Sequence, residues 1–104
     1  MTVLSEKETG VIAEKKYALV DFYADWCGPC KMLGPELVAA SGDIEALGVA
    51  CYKINVDDCN AFSIENKIQY VPTVIFYENG REKDRFVGMK DKDAIISFVK
   101  KNLG

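Results

Sequence analysis

Tyr17-Ala18-Leu19-Val20-Asp21-Phe22-Tyr23-Ala24, followed by Asp25-Trp26 and then Cys27-Gly28-Pro29-Cys30, is the stretch that decides the fold. Its first eight residues are nearly all apolar and rich in aromatics, which reads as a strand covered on both faces rather than one wetted on alternate positions. Such a strand belongs in the middle of a sheet. From Cys27 the pattern turns helical over residues 27–44, with Leu33, Leu37 and Val38 at suitable spacing. Pro35 lies inside this helix, where its missing N–H predicts a bend. The cysteine pair therefore stands where a buried strand gives way to a helix N-terminus.

Upstream, Ser5 and Glu8 have the spacing of a capping box and predict a short helix over residues 5–14. Downstream, residues 49–56 read as a second buried strand, and residues 60–67 as a short helix with Ala61, Ile64 and Ile68 along one side. Two further strands, residues 73–78 and 82–87, flank Asn79-Gly80. Both turn residues accept positive φ, so this pair predicts a tight hairpin. Asp91 caps a last helix with Ile95, Phe98, Val99 and Asn102-Leu103 at helical spacing, and Lys100 and Lys101 suit its C-terminal end. Strand–helix–strand stretches imply parallel neighbours and the hairpin adds antiparallel ones. The expected class is α/β, a central mixed sheet flanked by helices on both faces. Without repeats, low-complexity tracts or linkers, residues 1–104 are expected to form one domain.

Composition narrows the function. The 104 residues are 49% hydrophobic and 28% charged, enough for a core that is stable without metal or disulfide staples. Thirteen Lys and Arg against sixteen Asp and Glu leave a net charge of −3, a field that repels phosphate backbones and argues against nucleic acid as a partner. There is no histidine, which removes the commonest general base and every imidazole metal ligand. No apolar stretch is long enough to cross a bilayer, and Met1-Thr2-Val3-Leu4-Ser5-Glu6-Lys7-Glu8 lacks a basic region followed by an apolar one. The expectation is a cytoplasmic protein with no membrane partner, whose four cysteines are redox-active or metal-binding thiols rather than a disulfide framework.

Cys27 at a helix N-terminus meets free amide donors and the positive end of the helix dipole. Both favour an anion, so Cys27 is the expected nucleophile. Cys30, three residues on, shares its helical face and can close a disulfide after a modest adjustment of the first turn. Pro29 withholds a donor where none has an intrahelical partner, so the dithiol and disulfide backbones should differ little. The rival reading, half of a zinc site, wants four ligands and a second close pair. Cys51 and Cys59, eight apart, do not form one, and no metal is expected.

Asp21 interrupts the apolar strand, and either it is buried with a raised pKa suited to taking and returning a proton, or it sits at a wet strand end or bonds backbone amides. Lys53 interrupts the neighbouring strand, and either pairs with Asp21 or extends to the surface. Pro72 precedes an apolar strand, where the general preference is trans. Trp26 is either a core aromatic or an apolar shield and contact beside the thiol. Cys51 reads as a small buried hydrophobe and Cys59 as an exposed thiol.

Together these residues resemble the thioredoxin family over essentially the whole chain. The matches run from Asp21 through Trp26-Cys27-Gly28-Pro29-Cys30 to Lys31. They continue with Pro35, with Lys53, Asn55 and Asp57, with Val71-Pro72-Thr73, with Asn79-Gly80 and with Gly88. The resemblance implies a thioredoxin fold and a cis peptide at Val71-Pro72 facing the dithiol. It implies a substrate surface of Trp26, Gly28, Pro29, Val71, Pro72 and Gly88, and proton transfer at Cys30 by Asp21 with Lys53 as its partner. It further implies a monomeric protein-disulfide reductase that binds no cofactor itself and draws electrons from a thioredoxin reductase, a flavoprotein (FAD) using NADPH. Three other readings are an oxidase or isomerase, a non-catalytic partner subunit, and a zinc module. The chain departs from the family pattern at Tyr23, where many members have tryptophan, a change expected to affect fluorescence more than chemistry. It departs again at Tyr70, where a large ring is expected to reshape the substrate groove.

Overall fold

The five inner residues of strand β2 (Tyr17–Tyr23) are all buried, four of them apolar and the fifth Asp21, as expected of a strand covered on both faces. The computed structural model describes residues 1–104 and places β2 at the centre of a five-stranded sheet of order β1-β3-β2-β4-β5. On one side β2 runs parallel to β3 (Ala50–Asn55), with Asp21 opposite Lys53 and Tyr23 opposite Asn55. On the other it runs antiparallel to β4 (Thr73–Glu78), with Asp21 opposite Val74. Strand β5 (Arg81–Val87) completes the hairpin, turned by Asn79 at φ 53° and Gly80 at φ 80°. At the opposite edge lies β1 (Thr2–Val3), parallel to β3. Two residues are too short to carry a periodic signal, which is why the sequence does not announce this strand.

Alternation along the strands builds a core on each face of the sheet. One core holds Leu19, Cys51, Val74 and Phe76 under α1 (Gly28–Ala46) and α3 (Lys92–Asn102). The other holds Val20, Phe22, Tyr52, Ile54 and Ile75 under the N-terminal segment and α2 (Asn60–Glu65). Truncating a fully buried ring such as Phe22 or Phe76 to alanine would cost about 3–5 kcal/mol. The sheet is thus flanked by helices on both faces, with Asp91 Oδ1 accepting from the Ala94 N–H at 2.9 Å to cap α3.

Three local expectations are refined. The short first helix is present at Glu6–Glu14 but takes the tighter 3-10 form, with the Glu8 carboxylate reaching back to the Ser5 N–H at 2.9 Å. On α1 the buried stripe is Leu33, Leu37, Ala40 and Ile44, while Val38 is exposed. The helix continues through Pro35 to Ala46. On α2 Ala61 and Ile64 of the predicted inner side face outward, with Ile64 68% exposed and Ser63 buried, while Ile68, beyond the helix end, packs against the core. The cause is tertiary: the Glu6 carboxylate accepts from the Ala61 and Phe62 N–H groups at 2.9 and 3.3 Å and fixes how α2 lies on the sheet.

Candidate active site

Strand β2 ends at Tyr23, and four residues later Cys27 takes the N-cap position of α1. Its sulfur accepts a hydrogen bond from the Cys30 N–H at 3.2 Å, so one of the free donors of the helix start is aimed at it. Cys27 and Cys30 are joined by a disulfide with their Cα atoms 5.3 Å apart, within the ordinary range for such a bridge. Both are recessed, at 4% and 7% exposure, against Ala24 with Tyr23, Val56 and Val71 packed around them. Gly28 and Pro29, between them, are exposed.

The start of β4 supplies the opposite wall. The Val71-Pro72 peptide is cis, and the Val71 carbonyl oxygen lies 3.6 Å from the Cys27 sulfur. Gly88, at φ 91°, donates its N–H to the Pro72 carbonyl at 2.9 Å and ties the end of β5 to this turn. Trp26 is 70% exposed, which excludes the core reading, and its Nε1–H donates to Asp57 at 2.9 Å. Beside it Val56, Ile64, Ile68, Tyr70 and Val71 line a groove of about 440 Å³. Of these walls Ile64 was not legible as a surface residue, because its placement follows from how α2 is docked.

Asp21 leaves β2 on the Leu19 face, which α1 and α3 cover, is only 1% exposed, and its Oδ1 has no hydrogen-bond partner. Burial pushes its carboxyl up to about 6, with the Lys53 charge pulling the other way. The wet-strand-end reading therefore fails. Lys53 makes no ion pair with Asp21, because the chain's ion pairs are Lys83–Glu78, Arg85–Glu82 and Lys101–Asp84. Its ammonium sits instead 4.4 Å from the centre of the Tyr23 ring. Contact pairing with Asp21 is thus replaced by a through-space charge effect plus a cation–π contact. Lys53, Tyr23 and Cys30 share a second cleft of about 620 Å³ with Asp25, Lys31 and Pro35.

The remaining thiols lie elsewhere. Cys51 is buried in the core beneath α1 and α3, where burial and then Glu45 push its thiol up to about 12. Cys59, expected at the surface, is fully buried on the opposite face of the sheet, and its thiol donates to the Leu4 carbonyl at 3.5 Å. The four cysteines therefore occupy three separate places, and no three His, Cys, Asp or Glu side chains converge as metal ligands. No helix is long and apolar enough to cross a membrane.

A disulfide at a helix start, opposite a cis-proline turn on this sheet, defines a protein of thiol–disulfide exchange. The Thioredoxin family model matches residues 2–101. A thioredoxin of Chlamydia caviae is 41% identical over 81 residues, 78% of this chain and 78% of that one. The mitochondrial thioredoxin of Mus musculus is 40% identical over 94 residues, 90% of this chain and 56% of its own length. A solved thioredoxin structure from Plasmodium falciparum superposes with a TM-score of 0.88 at 27% identity, covering 97% of this chain and 98% of that one. The chain belongs to the thioredoxin family, and its Cys27–Cys30 pair carries out dithiol/disulfide exchange.

Proposed function

We propose that the protein is a general protein-disulfide reductase in which Cys27 is the nucleophile and Cys30 the resolving thiol. The observation that carries this reading is the Cys27 sulfur at the N-cap of α1, accepting from the Cys30 N–H and lying against the Val71 carbonyl. In the reduced protein the Cys27 thiolate attacks one sulfur of a substrate disulfide. A mixed disulfide forms and the first substrate thiolate leaves. Cys30 then gives its proton to the Asp21 carboxylate, and the Cys30 thiolate attacks the Cys27 sulfur. The second substrate thiol leaves, two electrons have passed to the substrate, and the Cys27–Cys30 disulfide is restored.

Trp26, Gly28, Pro29, Val71, Pro72 and Gly88 form the substrate surface in this proposal, with the Val71 backbone pairing with an extended segment. Recharging falls to a thioredoxin reductase, whose FAD passes electrons from NADPH, while this chain binds neither. The Gly28-Pro29 insert resembles that of reducing members, which favours reduction over oxidation or isomerisation. A monomer of one domain acting in the cytoplasm belongs to the same proposal and is checked by sedimentation and cell fractionation.

The test follows reduction of a disulfide-bearing test protein by the wild type, Cys27→Ser and Cys30→Ser. Cys27→Ser should be inactive, and Cys30→Ser should accumulate a covalent adduct. An active Cys27→Ser variant would end this reading.

A further inference from the structure

Asp21 and Lys53 are opposite each other in the parallel β2–β3 register and leave the sheet on the same face, yet they make no contact pair. Adjacent strands stand about 4.8 Å apart, so the four-carbon stem of lysine has ample reach to an in-register carboxylate. Something else holds the ammonium. That group is Tyr23, two residues along β2 on the same face, whose ring centre is 4.4 Å from Lys53 Nζ. Asp21 Oδ1 is left buried without a partner.

We propose that Tyr23 is a positioning residue of the proton relay: its ring face parks the Lys53 ammonium on the wall of the cleft beside Cys30 and so withholds it from contact with Asp21. The inference deepens the reductase reading above and assigns a task to Tyr23, one of the two positions where the chain departs from its family. A contact ion pair would hold Asp21 ionised and make it a poor proton acceptor. A parked ammonium leaves a carboxyl that both takes and returns a proton near neutral pH.

The surroundings leave few competitors. On this face β3 offers Lys53, the buried Cys51 thiol, which burial pushes up to about 12 and so keeps neutral, and the uncharged Asn55, while β4 offers apolar Val74 opposite Asp21. From α1 come Cys30 and Lys31 on the cleft wall, and beyond Tyr23 on its own segment comes Asp25. The part of α3 under this face is apolar, with Ile95, Phe98 and Val99.

The experiment titrates the Asp21 carboxyl by carbon NMR in the oxidised protein, without substrate, in the wild type, Tyr23→Phe, Tyr23→Leu, Lys53→Met and the Tyr23→Leu/Lys53→Met double variant. Retained chemical shifts in the core verify that each variant is folded. Tyr23→Phe keeps the ring face and should leave the midpoint in place. Tyr23→Leu frees the ammonium, and the midpoint should fall by about half a pH unit, the size of an exposed cation–π contact. Lys53→Met should raise the midpoint, and adding Tyr23→Leu to it should then change nothing. An unchanged midpoint in Tyr23→Leu overturns the proposal, as does an equal fall in Tyr23→Phe or in the double variant. Because no substrate is present, this failure is separate from failure of the reductase reading, which the cysteine variants test. If Tyr23→Leu does not fold, Tyr23→Met supplies the same comparison.

Discussion

Gly88 and Pro72 are joined by a backbone hydrogen bond of 2.9 Å, so the residue directly after β5 holds the turn that faces the disulfide. Gly88 makes this bond at φ 91°, where an added Cβ would meet open space. Gly80 in the hairpin also has positive φ, at 80°, but there an added Cβ would lie 2.8 Å from Ala13 Cβ and 2.9 Å from its Cα.

The two glycines separate backbone strain from steric exclusion. Gly88→Ala should cost about 1–2 kcal/mol through its φ alone, and Gly80→Ala roughly 1–3 kcal/mol more, because the 3-10 segment must also move. Urea unfolding midpoints read the difference. Equal losses would mean that Ala13 yields freely. Gly88→Ala should also slow disulfide reduction, since it disturbs the Pro72 turn, whereas Gly80→Ala should not.

Asp21 sets a pH dependence of stability. Its carboxyl stands at about 6 in the fold against an ordinary value of 3.8. Well below pH 3.8 it is neutral in both folded and unfolded chains. As pH rises towards 6 the unfolded chain releases the proton first, and the stability held at low pH is lost. Some two pH units at about 1.4 kcal/mol each put this loss on the order of 3 kcal/mol. Asp21→Asn should therefore stabilise the fold at pH 8 by up to that amount and by little at pH 4. A gain of the same size at both pH values would contradict the assignment.

Arg85 clamps the path into the cis turn. Its guanidinium meets both Glu82 oxygens at 2.6 Å and the Asn66 carbonyl at 2.9 Å, while Asn66 Oδ1 accepts from the Tyr77 hydroxyl at 2.7 Å. Lysine cannot reproduce this planar fork. Arg85→Lys should cost about 1 kcal/mol and speed amide hydrogen exchange selectively over residues 66–71. Uniform acceleration across the sheet would show that the clamp is not local.

Cys51 and Cys59 should be chemically silent in the native protein. Burial raises both thiols, Cys51 to about 12, and thiolate is the species that reacts. With the Cys27–Cys30 bridge intact, mass spectrometry should find no alkylation of the folded chain and labelling at both thiols after denaturation. Rapid native labelling at Cys59 would show that the N-terminal segment lifts from Leu4.

How much was legible depended on the range of the interaction. The apolar run at 17–24, the Asn79-Gly80 turn and the Asp91 cap were readable because each rests on neighbours in the chain. The outward face of α2 was not, since Ile64 and Ser63 are equally plausible inner residues until Glu6 docks the helix from a distant segment. Strand β1 was invisible for its length, and burial of Cys59 followed from Leu4, more than fifty residues away. Asp21 and Lys53 were both singled out as interruptions, but their strand positions left open whether the two charges pair or Lys53 extends to the surface.

Sequence alone determined the order of the helices and of every strand but β1, the family, and a cysteine at a helix start with a second cysteine three residues on. Those features are local, governed by periodicity, turn conformation and the spacing between Cys27 and Cys30. Tertiary structure decided that Val71, 44 residues from Cys27, closes over its sulfur, that Trp26 is anchored in water by Asp57, and that Lys53 lies on Tyr23 instead of Asp21. Each is a competition among partners remote in the chain. Only their simultaneous packing settles which one a polar group meets.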